Sequence, residues 1–445
     1  MAALGRRGLR VAPFKVGPDF IDPGHHSHVT GRASRNLDGW MLDRDYNRRT
    51  FRRYAAGTDV AIVEGVMGLF DGFSGSQEAG STAQMAKWLD LPVLLVVDAA
   101  SMARSAAALV QGFERFDPQV EFAGVVFNNL GSARHLEYLK AAMDAYVKMP
   151  LAGGLLRHEK LRMPERHLGL VTAQERPISR TRQGVLAERI EAGIDLDALL
   201  QGLAQIPTYQ AGDQAARPAA TTTVRLGVAR DRAFCFYYPD NLELLAAAGI
   251  EIVPFSPLEE CRLPAELDGL YFGGGYPELY PRQLAANSGM RDMIRACSRR
   301  GMPIYGECGG FMYLCRELED LAANIHPMCG CFPFRSRMHA KLRTLGYREV
   351  QLRRDTLLGA GSATLRGHEF HYSDLAGTDA LAPAKTVYAV ATRKGGRSKP
   401  EGYLVDRTLG SYIHLHFGSR PQSANAFAEA CRAYQRTRSR ADATP

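Results

Sequence analysis

The 445-residue sequence predicts an α/β protein of two domains, the first of them built on a parallel sheet. Short apolar runs rich in β-branched residues end at a polar residue, and a helical pattern follows, as it does after Asp98. A stretch poor in large apolar residues, 206–223, separates this alternation from a second one and is the predicted linker. The length also favours two or three domains of roughly 100–200 residues over one.

The first predicted domain spans residues 1–205, and its strands end at polar side chains. The predicted strands and the residues that end them are Val60–Val63 with Glu64, Val93–Val97 with Asp98, and Ala123–Phe127 with Asn128. A helical pattern at 101–113 follows the second of these strands. Because ligands of open parallel sheets bind beyond the carboxyl ends of the strands, we expect ligand contacts near the three polar residues.

A loop punctuated by Gly and Pro near the start of the chain combines a cation with carboxylates. Lys15, Asp19 and Asp22 follow an apolar run there, and Glu64 ends a later strand. Mg²⁺ is usually held by few carboxylates together with phosphate oxygens, so these residue types suit a phosphate and magnesium site. Adjacent histidines without Cys or carboxylate spacing do not indicate a transition-metal site. The histidines concerned are His25, His26 and His28.

The second predicted domain spans residues 224–445 and contains a nucleophile motif. Its predicted elements are strands at Val224–Ala229, Ile250–Pro254, Gly269–Phe272 and Pro303–Tyr305 and a helix at Asn241–Ala248. The string Gly306–Gly310 places Cys308 between small residues, after an apolar run and before a helical pattern that begins at Phe311. A tight glycine turn between a strand and a helix is typical of a nucleophile elbow. The start of the helix is expected to lower the pKa of the thiol.

Two other motifs supply candidates for an oxyanion hole and a general base. The glycines Gly273–Gly275 follow an apolar run, and their N–H groups can face a developing oxyanion. Near the C-terminus, His414 and His416 lie on a predicted strand. Residues i and i+2 of a strand are about 6.6 Å apart, so only one histidine can reach the Cys308 sulfur. The residues by themselves leave the choice between them open.

The order of these motifs, a glycine turn upstream of Cys308 and a histidine far downstream, resembles class I glutamine amidotransferases. Strings along nearly the whole chain resemble, more narrowly, the cobyrinic acid a,c-diamide synthase family and the neighbouring cobyric acid synthases. These strings are Lys15–His26, Leu37–Leu42, Val63–Gly72, Arg166–Leu170, Phe234–Leu245, Gly273–Glu278, Gly306–Leu314, Gly367–Ser373 and Ser411–Phe417.

The resemblance implies a P-loop NTPase-like first domain, similar to dethiobiotin synthetase, followed by a class I glutamine amidotransferase-like α/β domain. In the first domain it implies that Lys15 and Asn128 bind ATP, the lysine at a phosphate and the asparagine at the adenine. It also implies that Asp22 and Glu64 lie near magnesium. These roles follow from matching motifs and not from residue spacing.

In the second domain, the resemblance implies that Cys308 is the nucleophile and His414 its base. The oxyanion donors expected at this turn and elbow are the N–H groups of Gly274, Gly275 and Gly309. The second residue after the base is another histidine, where a class I enzyme carries glutamate. The group that orients the base is therefore left open by the sequence.

The activity implied is glutamine- and ATP-dependent amidation of the a and c side-chain carboxylates of cobyrinic acid, or of cobalt-free hydrogenobyrinic acid, in cobalamin biosynthesis. ATP would form an acyl phosphate with Mg²⁺ as cofactor, and ammonia from glutamine would displace the phosphate. One alternative is a,c-diamidation of nickel sirohydrochlorin or of another tetrapyrrole. Another is a protein with glutaminase activity alone, or an inactive one.

This last alternative comes from an element that the sequence does not contain. The family opens with a strand and a Gly-x-x-x-x-Gly-Lys-Ser/Thr phosphate loop, and no such string occurs here. The segment Met1–Arg10 resembles the end of the helix that follows that loop. We therefore expect the chain as given to have lost this strand and loop, to bind ATP poorly, and to expose sheet edges.

Composition restricts the partners and the location. The formal net charge of +8 is consistent with a polycarboxylate substrate, and neither zinc-ligand spacing nor an aromatic RNA-binding signature supports a nucleic-acid partner. No apolar run approaches roughly 18 residues and no signal peptide is evident, so we expect a cytoplasmic protein without membrane contact. Its eight cysteines are then expected to be free thiols. The sequence leaves open the oligomeric state, with a homodimer as one option, the metal in the corrinoid, and the order of amidation.

Overall fold

The computed structural model describes residues 1–158, 161, 165–166, 169–206, 223–377, 384–391 and 399–442. The chain divides into two compact units, Met1–Asp213 (unit 1) and Gln214–Pro445 (unit 2). Most of the predicted linker, and two residues of the Arg166–Leu170 string, lie outside the described residues. Within the described ranges, no helix combines the length and the apolar character that crossing a membrane requires.

Unit 1 alternates strands and helices from its first strand onward. Its elements are α1 (Ala2–Arg6), β1 (Val11–Val16), α2 (Ile21–Thr30), β2 (Arg35–Leu37), α3 (Arg44–Ala55), β3 (Val60–Glu64), α4 (Thr82–Leu89), β4 (Val93–Asp98), α5 (Ser105–Phe116), β5 (Phe122–Leu130), α6 (Ala133–Tyr146), β6 (Leu151–Leu156), β7 (Glu165–Arg166), β8 (Gly169–Leu170), α7 (Arg180–Gly193) and α8 (Leu196–Gln201). The strands predicted to end at Glu64 and Asp98 are confirmed.

Polar side chains begin several of these helices. Asp43 accepts the Tyr46 N–H before α3, and Ser81 accepts the Gln84 N–H before α4. Helix α2 ends at Gly31, whose φ of 68° lies in the left-handed region that favours glycine. Short-range capping thus fixes where helices begin and end around the strands.

Unit 1 holds two parallel three-stranded sheets, ordered β2-β1-β3 and β4-β5-β6. Strand β1 is buried along its whole length between its two neighbours, and this burial includes the charged residue Lys15. Strands β3 and β4 each stand at the edge of a described sheet, and Leu94 and Val96 on β4 are 38% and 62% exposed. Two apolar side chains of β4 are therefore exposed, and the expectation that a lost strand leaves open sheet edges stays a prediction.

One predicted strand end is wrong. Strand β5 continues through Asn128 to Leu130, because its pairing with β6 extends to Leu156. The register between the two strands shifts at this point, and Asn129 takes a φ of 59°. Asn128 therefore lies in an irregular part of a strand and not at its end.

Unit 2 begins with parallel strands and continues with antiparallel ones. Its elements are β9 (Val224–Ala229), α9 (Pro239–Ala247), β10 (Ile250–Phe255), β11 (Gly269–Phe272), α10 (Pro281–Ala286), α11 (Ser288–Arg299), β12 (Ile304–Glu307), α12 (Gly309–Leu314), β13 (Cys315–Glu319), β14 (Ile325–Pro327), β15 (Phe332–Met338), β16 (Thr344–Leu352), β17 (Thr364–His371), β18 (Ser373–Ala376), β19 (Lys385–Ala391), β20 (Lys399–Val405), β21 (Thr408–Ser411), β22 (His414–Leu415) and α13 (Gln422–Asp442), with 3₁₀ helices at Pro277–Leu279 and Phe417–Ser419.

The main sheet of unit 2 has ten strands in the order β10-β9-β11-β12-β21-β20-β19-β16-β17-β22. The first five are mutually parallel, and antiparallel pairing continues from β21 to β22. A second sheet is ordered β14-β13-β15-β18. Strand β12 is buried at all four positions, and its carboxyl end leads directly into Cys308. The main sheet therefore places the nucleophile motif at the carboxyl end of an interior strand.

The predicted strand that holds both C-terminal histidines is wrong in part. Strand β22 contains only His414 and Leu415. His416 lies beyond it and accepts the Gly418 N–H at 3.1 Å, which caps the following 3₁₀ helix. The helix after the nucleophile also begins at Gly309, two residues before the predicted start.

Candidate active sites

Lys15 is the centre of a charged cluster in unit 1. Its side chain is 6% exposed, and its Nζ lies 2.8 Å from Asp22 Oδ2 and 3.5 Å from Glu64 Oε1. The parallel pairing of β1 with β3 sets Lys15 opposite Glu64, while Asp22 lies in the first turn of α2. Burial lowers the pKa of Lys15, but these two carboxylates outweigh it, so the pKa is raised and the ammonium stays charged. Three of the predicted residues are thus brought together.

Asp19 and a histidine complete this cluster. Asp19 accepts the Ile21 N–H at 2.9 Å, and burial and then the charge of Asp22 raise its pKa. His26 Nε2 lies 2.6 Å from Glu64 Oε2, a contact that the sequence did not indicate. The two other histidines of this segment bind the carbonyl oxygens of Val171 and Ile178, at 2.9 and 3.1 Å. We therefore find His26 alone of the three at the cluster.

The donor set of this cluster suits one class of metal ion. No group of three or more His, Cys, Asp or Glu side chains in the described part of the chain is arranged to hold a metal by itself. Asp22 and Glu64 supply carboxylate oxygens with side chains 28% and 44% exposed. Two such carboxylates fit Mg²⁺, which keeps water and phosphate oxygens as its remaining ligands.

Asn128 lines a cavity of about 800 Å³ in unit 1. Apolar side chains from β6 and α7 form part of its wall, and two arginines add positive charge. The lining residues beside Asn128 include Leu155, Leu156, Arg157, Leu186, Arg189 and Ile190. A concave site that combines apolar walls with polar groups is typical of a small-molecule pocket.

Cys308 occupies a strained turn between β12 and α12. Its φ of 47° and ψ of −107° are unusual for a residue with a side chain. Its N–H donates to the Ser411 carbonyl at 2.7 Å, which ties the turn to the end of β21. A Cβ on Gly310 would lie 2.2 Å from the Phe272 carbonyl oxygen, so only glycine fits there. This geometry matches the predicted nucleophile elbow.

Close packing joins the elbow, the glycine turn and His414. A Cβ on Gly309 would lie 3.0 Å from the Gly275 nitrogen, and one on Gly274 would lie 2.3 Å from His414 Cε1. The Gly309 N–H acts to lower the pKa of the Cys308 thiol, which places it close to the sulfur. The five residues predicted for the nucleophile, the base and the oxyanion donors therefore lie in one region of unit 2.

The expectation of a lowered thiol pKa is wrong. Cys308 is 7% exposed, and burial raises the pKa of its thiol well above the ordinary value, with a further rise from the charge of Glu278. Helix α12 has only six residues, so its dipole and the Gly309 N–H do not offset the loss of water. Burial also lowers the pKa of His414 to about 3. Both groups are neutral near pH 7, and His414 is free of the proton that a base must accept.

His416 has different surroundings. Its ring packs on Tyr238, with the ring centroids 4.5 Å apart, and burial lowers its pKa to about 4. Tyr238 also shares a hydrogen bond of 2.9 Å with His368 Nδ1. The ring of His416 is thus packed on the residue that precedes α9, whereas the ring of His414 lies close to the glycine turn.

Strand β17 adds ionisable residues for which the sequence assigned no role. Glu369 Oε1 lies 2.8 Å from His371 Nε2, and Glu369 Oε2 lies 2.7 Å from Arg348 Nε. Although burial acts to raise it, these partners bring the pKa of Glu369 below its usual value. Phe370 beside it places its carbonyl oxygen 3.9 Å from Cys308 Sγ. The motif string Gly367–Ser373 was the signal that could have found these residues.

Both units match models of known domain families. Residues 1–171 match the CobQ/CobB/MinD/ParA nucleotide binding domain. Residues 225–422 match the CobB/CobQ-like glutamine amidotransferase domain. These matches confirm the predicted fold class: a P-loop NTPase-like domain is followed by a glutamine amidotransferase-like domain.

Whole-chain relatives narrow the family. The chain is 45% identical over 431 residues to the cobyrinate a,c-diamide synthase of Syntrophotalea carbinolica. This alignment covers 97% of this chain and 94% of the relative. It is 41% identical to the synthase of Leptospira interrogans serovar copenhageni, over 96% of this chain and 93% of the relative. It is 42% identical to the synthase of Salmonella typhimurium, over 96% of this chain and 93% of the relative. The chain therefore belongs to the cobyrinate a,c-diamide synthase family.

Proposed function

We propose that this protein is a glutamine- and ATP-dependent amide ligase that converts the a and c side-chain carboxylates of cobyrinic acid, or of hydrogenobyrinic acid, into amides. The observation that carries the proposal is the assembly of Cys308, the glycine turn and His414 in unit 2 of a chain that aligns with cobyrinate a,c-diamide synthases over 97% of its length. The relatives do not favour another tetrapyrrole substrate or an inactive remnant.

In unit 2, the neutral thiol of Cys308 attacks the side-chain amide of glutamine while His414 takes the thiol proton. The N–H groups of Gly274, Gly275 and Gly309 are the proposed donors to the oxyanion that forms at the amide oxygen. Collapse of this intermediate transfers the proton from His414 to the leaving nitrogen, which departs as ammonia. Water then attacks the glutamyl thioester while His414 accepts its proton, and breakage of the C–S bond releases glutamate and returns the proton to the Cys308 sulfur.

In unit 1, ATP phosphorylates a substrate carboxylate, and ammonia displaces the phosphate to leave the amide. Lys15 is the proposed phosphate contact, Asp22 and Glu64 would hold Mg²⁺, and Asn128 would bind the adenine at the wall of its cavity. When bound, Mg²⁺ would neutralise charge on the phosphate oxygens. The clustering of both carboxylates at the Lys15 ammonium supports this assignment.

The remaining features of the proposal concern partners and location. A corrinoid polycarboxylate is the proposed substrate, and the net charge of +8 suits a polyanionic ligand. No nucleic-acid or membrane partner is proposed, and a homodimer stays an open option. A cytoplasmic location is proposed, where the eight cysteines would remain free thiols.

The test separates the two half-reactions of the full chain. Glutamate release from glutamine measures unit 2, and conversion of cobyrinic acid to its diamide with ATP, Mg²⁺ and ammonium chloride measures unit 1. Diamide formation supports the proposal, and the rate as a function of ATP concentration tests the expectation that ATP binding is poor. Glutamate release without any ATP-dependent diamide, even at high ATP, would contradict the ligase assignment.

A further inference from the structure

Glu307, the residue before the nucleophile, is a carboxylate inside the core of unit 2. It is 2% exposed and lies at the carboxyl end of β12. A buried carboxylate without hydrogen-bond partners is costly, so its partners show what holds it in place. Its Oε1 accepts the Tyr305 hydroxyl at 2.7 Å and the Leu415 N–H at 3.1 Å, and its Oε2 accepts the Tyr271 hydroxyl at 3.0 Å.

The Leu415 N–H belongs to the peptide that joins Leu415 to His414. Strand β22 consists of these two residues and stands at the end of the strand order, paired with β17 alone in the described sheet. So short an edge strand forms few ladder hydrogen bonds, and a side-chain acceptor therefore contributes much to its position. Glu307 provides that acceptor from the residue adjacent to Cys308.

Two tyrosines hold the carboxylate in turn. Tyr271 and Tyr305 are paired positions on neighbouring parallel strands, and their rings stack with centroids 5.3 Å apart. Both hydroxyls donate to Glu307, so side chains from β11 and β12 hold the carboxylate in place. The carboxylate in this position also accepts the Leu415 N–H. A rigid chain of contacts thus runs from the nucleophile strand to the backbone of His414.

We propose that Glu307 is a positioning residue that sets the imidazole of His414 relative to the thiol of Cys308 by holding the Leu415 N–H. This inference rests on the proposed glutaminase reaction of unit 2. In this proposal, what matters is the length of the Glu307 side chain, which sets the position of its acceptor oxygen. A negative charge on that oxygen is not required. A change of about 1 Å in a catalytic group can lower the rate about 100-fold while leaving substrate binding in place.

Two substitutions separate position from charge. Glu307→Gln removes the charge but keeps the reach: its carbonyl oxygen replaces Oε1 as acceptor for Tyr305 and Leu415, and its NH₂ group donates to the Tyr271 hydroxyl. Glu307→Asp keeps the charge but shortens the side chain by one methylene, so the Leu415 N–H at 3.1 Å comes out of reach.

The control is Asp268→Asn, because Asp268 is also a buried carboxylate of unit 2. It contacts the Arg225 N–H at 2.9 Å, Gln435 Nε2 at 3.1 Å and Arg438 Nη2 at 3.0 Å, and none of these contacts involves the elbow or β22. Replacing this carboxylate by an amide tests whether the loss of any buried carboxylate lowers kcat for glutamate release. We expect a changed urea midpoint at most, with kcat for glutamate release within about 2-fold of wild type.

The experiment measures kcat and KM for glutamate release by the full chain, and circular dichroism confirms that each variant is folded. We expect kcat of Glu307→Gln within about 5-fold of wild type, kcat of Glu307→Asp at least about 20-fold lower, and KM for glutamine within about 3-fold in both. An Asp variant as active as the Gln variant, or more so, would overturn the proposal, and so would a Gln variant that loses more than about 20-fold. If the Asp variant does not fold, kcat of the Gln variant alone tests the proposal, and a loss of more than about 20-fold still overturns it. Wild-type protein without glutamate release, or release that survives Cys308→Ala, would instead refute the glutaminase proposal itself.

Discussion

The imidazole rings of His368 and His414 are stacked, with their centroids 4.9 Å apart and their planes inclined by 14°. The two residues are cross-strand partners of β17 and β22, so the pairing of these strands sets the stack. Burial lowers the pKa of both rings, so the stack is uncharged at neutral pH. The neutral ring of His368, which is hydrogen-bonded to Tyr238, thus packs on His414, the proposed base. The sequence had left open which group orients that base.

Replacement of the nucleophile should divide the two half-reactions. We expect Cys308→Ala to abolish glutamate release and glutamine-supported amidation, because no other group at the elbow can form the thioester. Amidation supported by ammonium chloride should persist, since it needs unit 1 alone. Cys261→Ala, at an exposed cysteine, is the control and should retain both activities. Loss of ammonia-supported amidation in a folded Cys308→Ala protein would disprove this division of labour.

The two C-terminal histidines should differ in their effects. His414→Ala removes the ring packed on Gly274, and we expect kcat for glutamate release to fall about 1000-fold. His416→Ala removes a ring that caps a 3₁₀ helix, so its effect should fall mainly on stability, with kcat lowered less than about 10-fold. Steady-state glutaminase kinetics on both variants provide the test. The opposite ranking would show that His416 is the base.

A substitution in the charged cluster of unit 1 should lower ATP-dependent amidation and leave glutamate release unchanged. Glu64→Gln removes one charge that faces Lys15, and we expect ATP-dependent amidation with ammonium chloride to fall about 100-fold or more. Glutamate release should stay within about 2-fold, because that chemistry lies in unit 2. Glu78→Gln, which removes an exposed partner of Lys87, is the matched control in unit 1. An equal loss in both variants would argue against a special role for Glu64.

The stability of unit 2 should depend on the titration of Glu307. Burial raises the pKa of this carboxyl to about 7 from the value of 4.5 that is ordinary for glutamate, so the folded protein keeps a proton that the unfolded chain releases. The stability contributed by the carboxyl is therefore fully present below pH 4.5 and is lost as the pH rises through 7. Because glutamine does not titrate, the free energy of unfolding of wild type relative to Glu307→Gln should decrease from pH 5 to pH 8.

Urea unfolding followed by far-ultraviolet circular dichroism at the two pH values provides this measurement. The two tryptophans of the chain, Trp40 and Trp88, both lie in unit 1, so tryptophan fluorescence serves as an internal control. The fluorescence transition should be the same in wild type and variant. A wild-type protein that gains stability relative to the variant as the pH rises would contradict the sign of the prediction.

Sequence patterns predicted much of the two units, since strands and tight turns are local features. Apolar runs with polar ends located β3 and β4, and glycines around Cys308 identified the elbow because only small residues allow so sharp a turn. The motif strings identified the family, and the whole-chain relatives bear out that identification. Strand ends were less accurate: pairing with β6 carries β5 past Asn128.

Only the tertiary structure decided the protonation of the site and the contacts between distant residues. The thiol pKa was expected to fall from the helix that follows Cys308, yet burial by the rest of unit 2 raises it, and burial is not readable from a local string. The stack of His368 on His414 and the hydrogen bond from Leu415 to Glu307 likewise join residues 46 and 108 positions apart, through strand pairing and packing. The sequence by itself thus determined which chemical groups are present and which turns carry them, whereas the folded sheet determined their charge and their alignment.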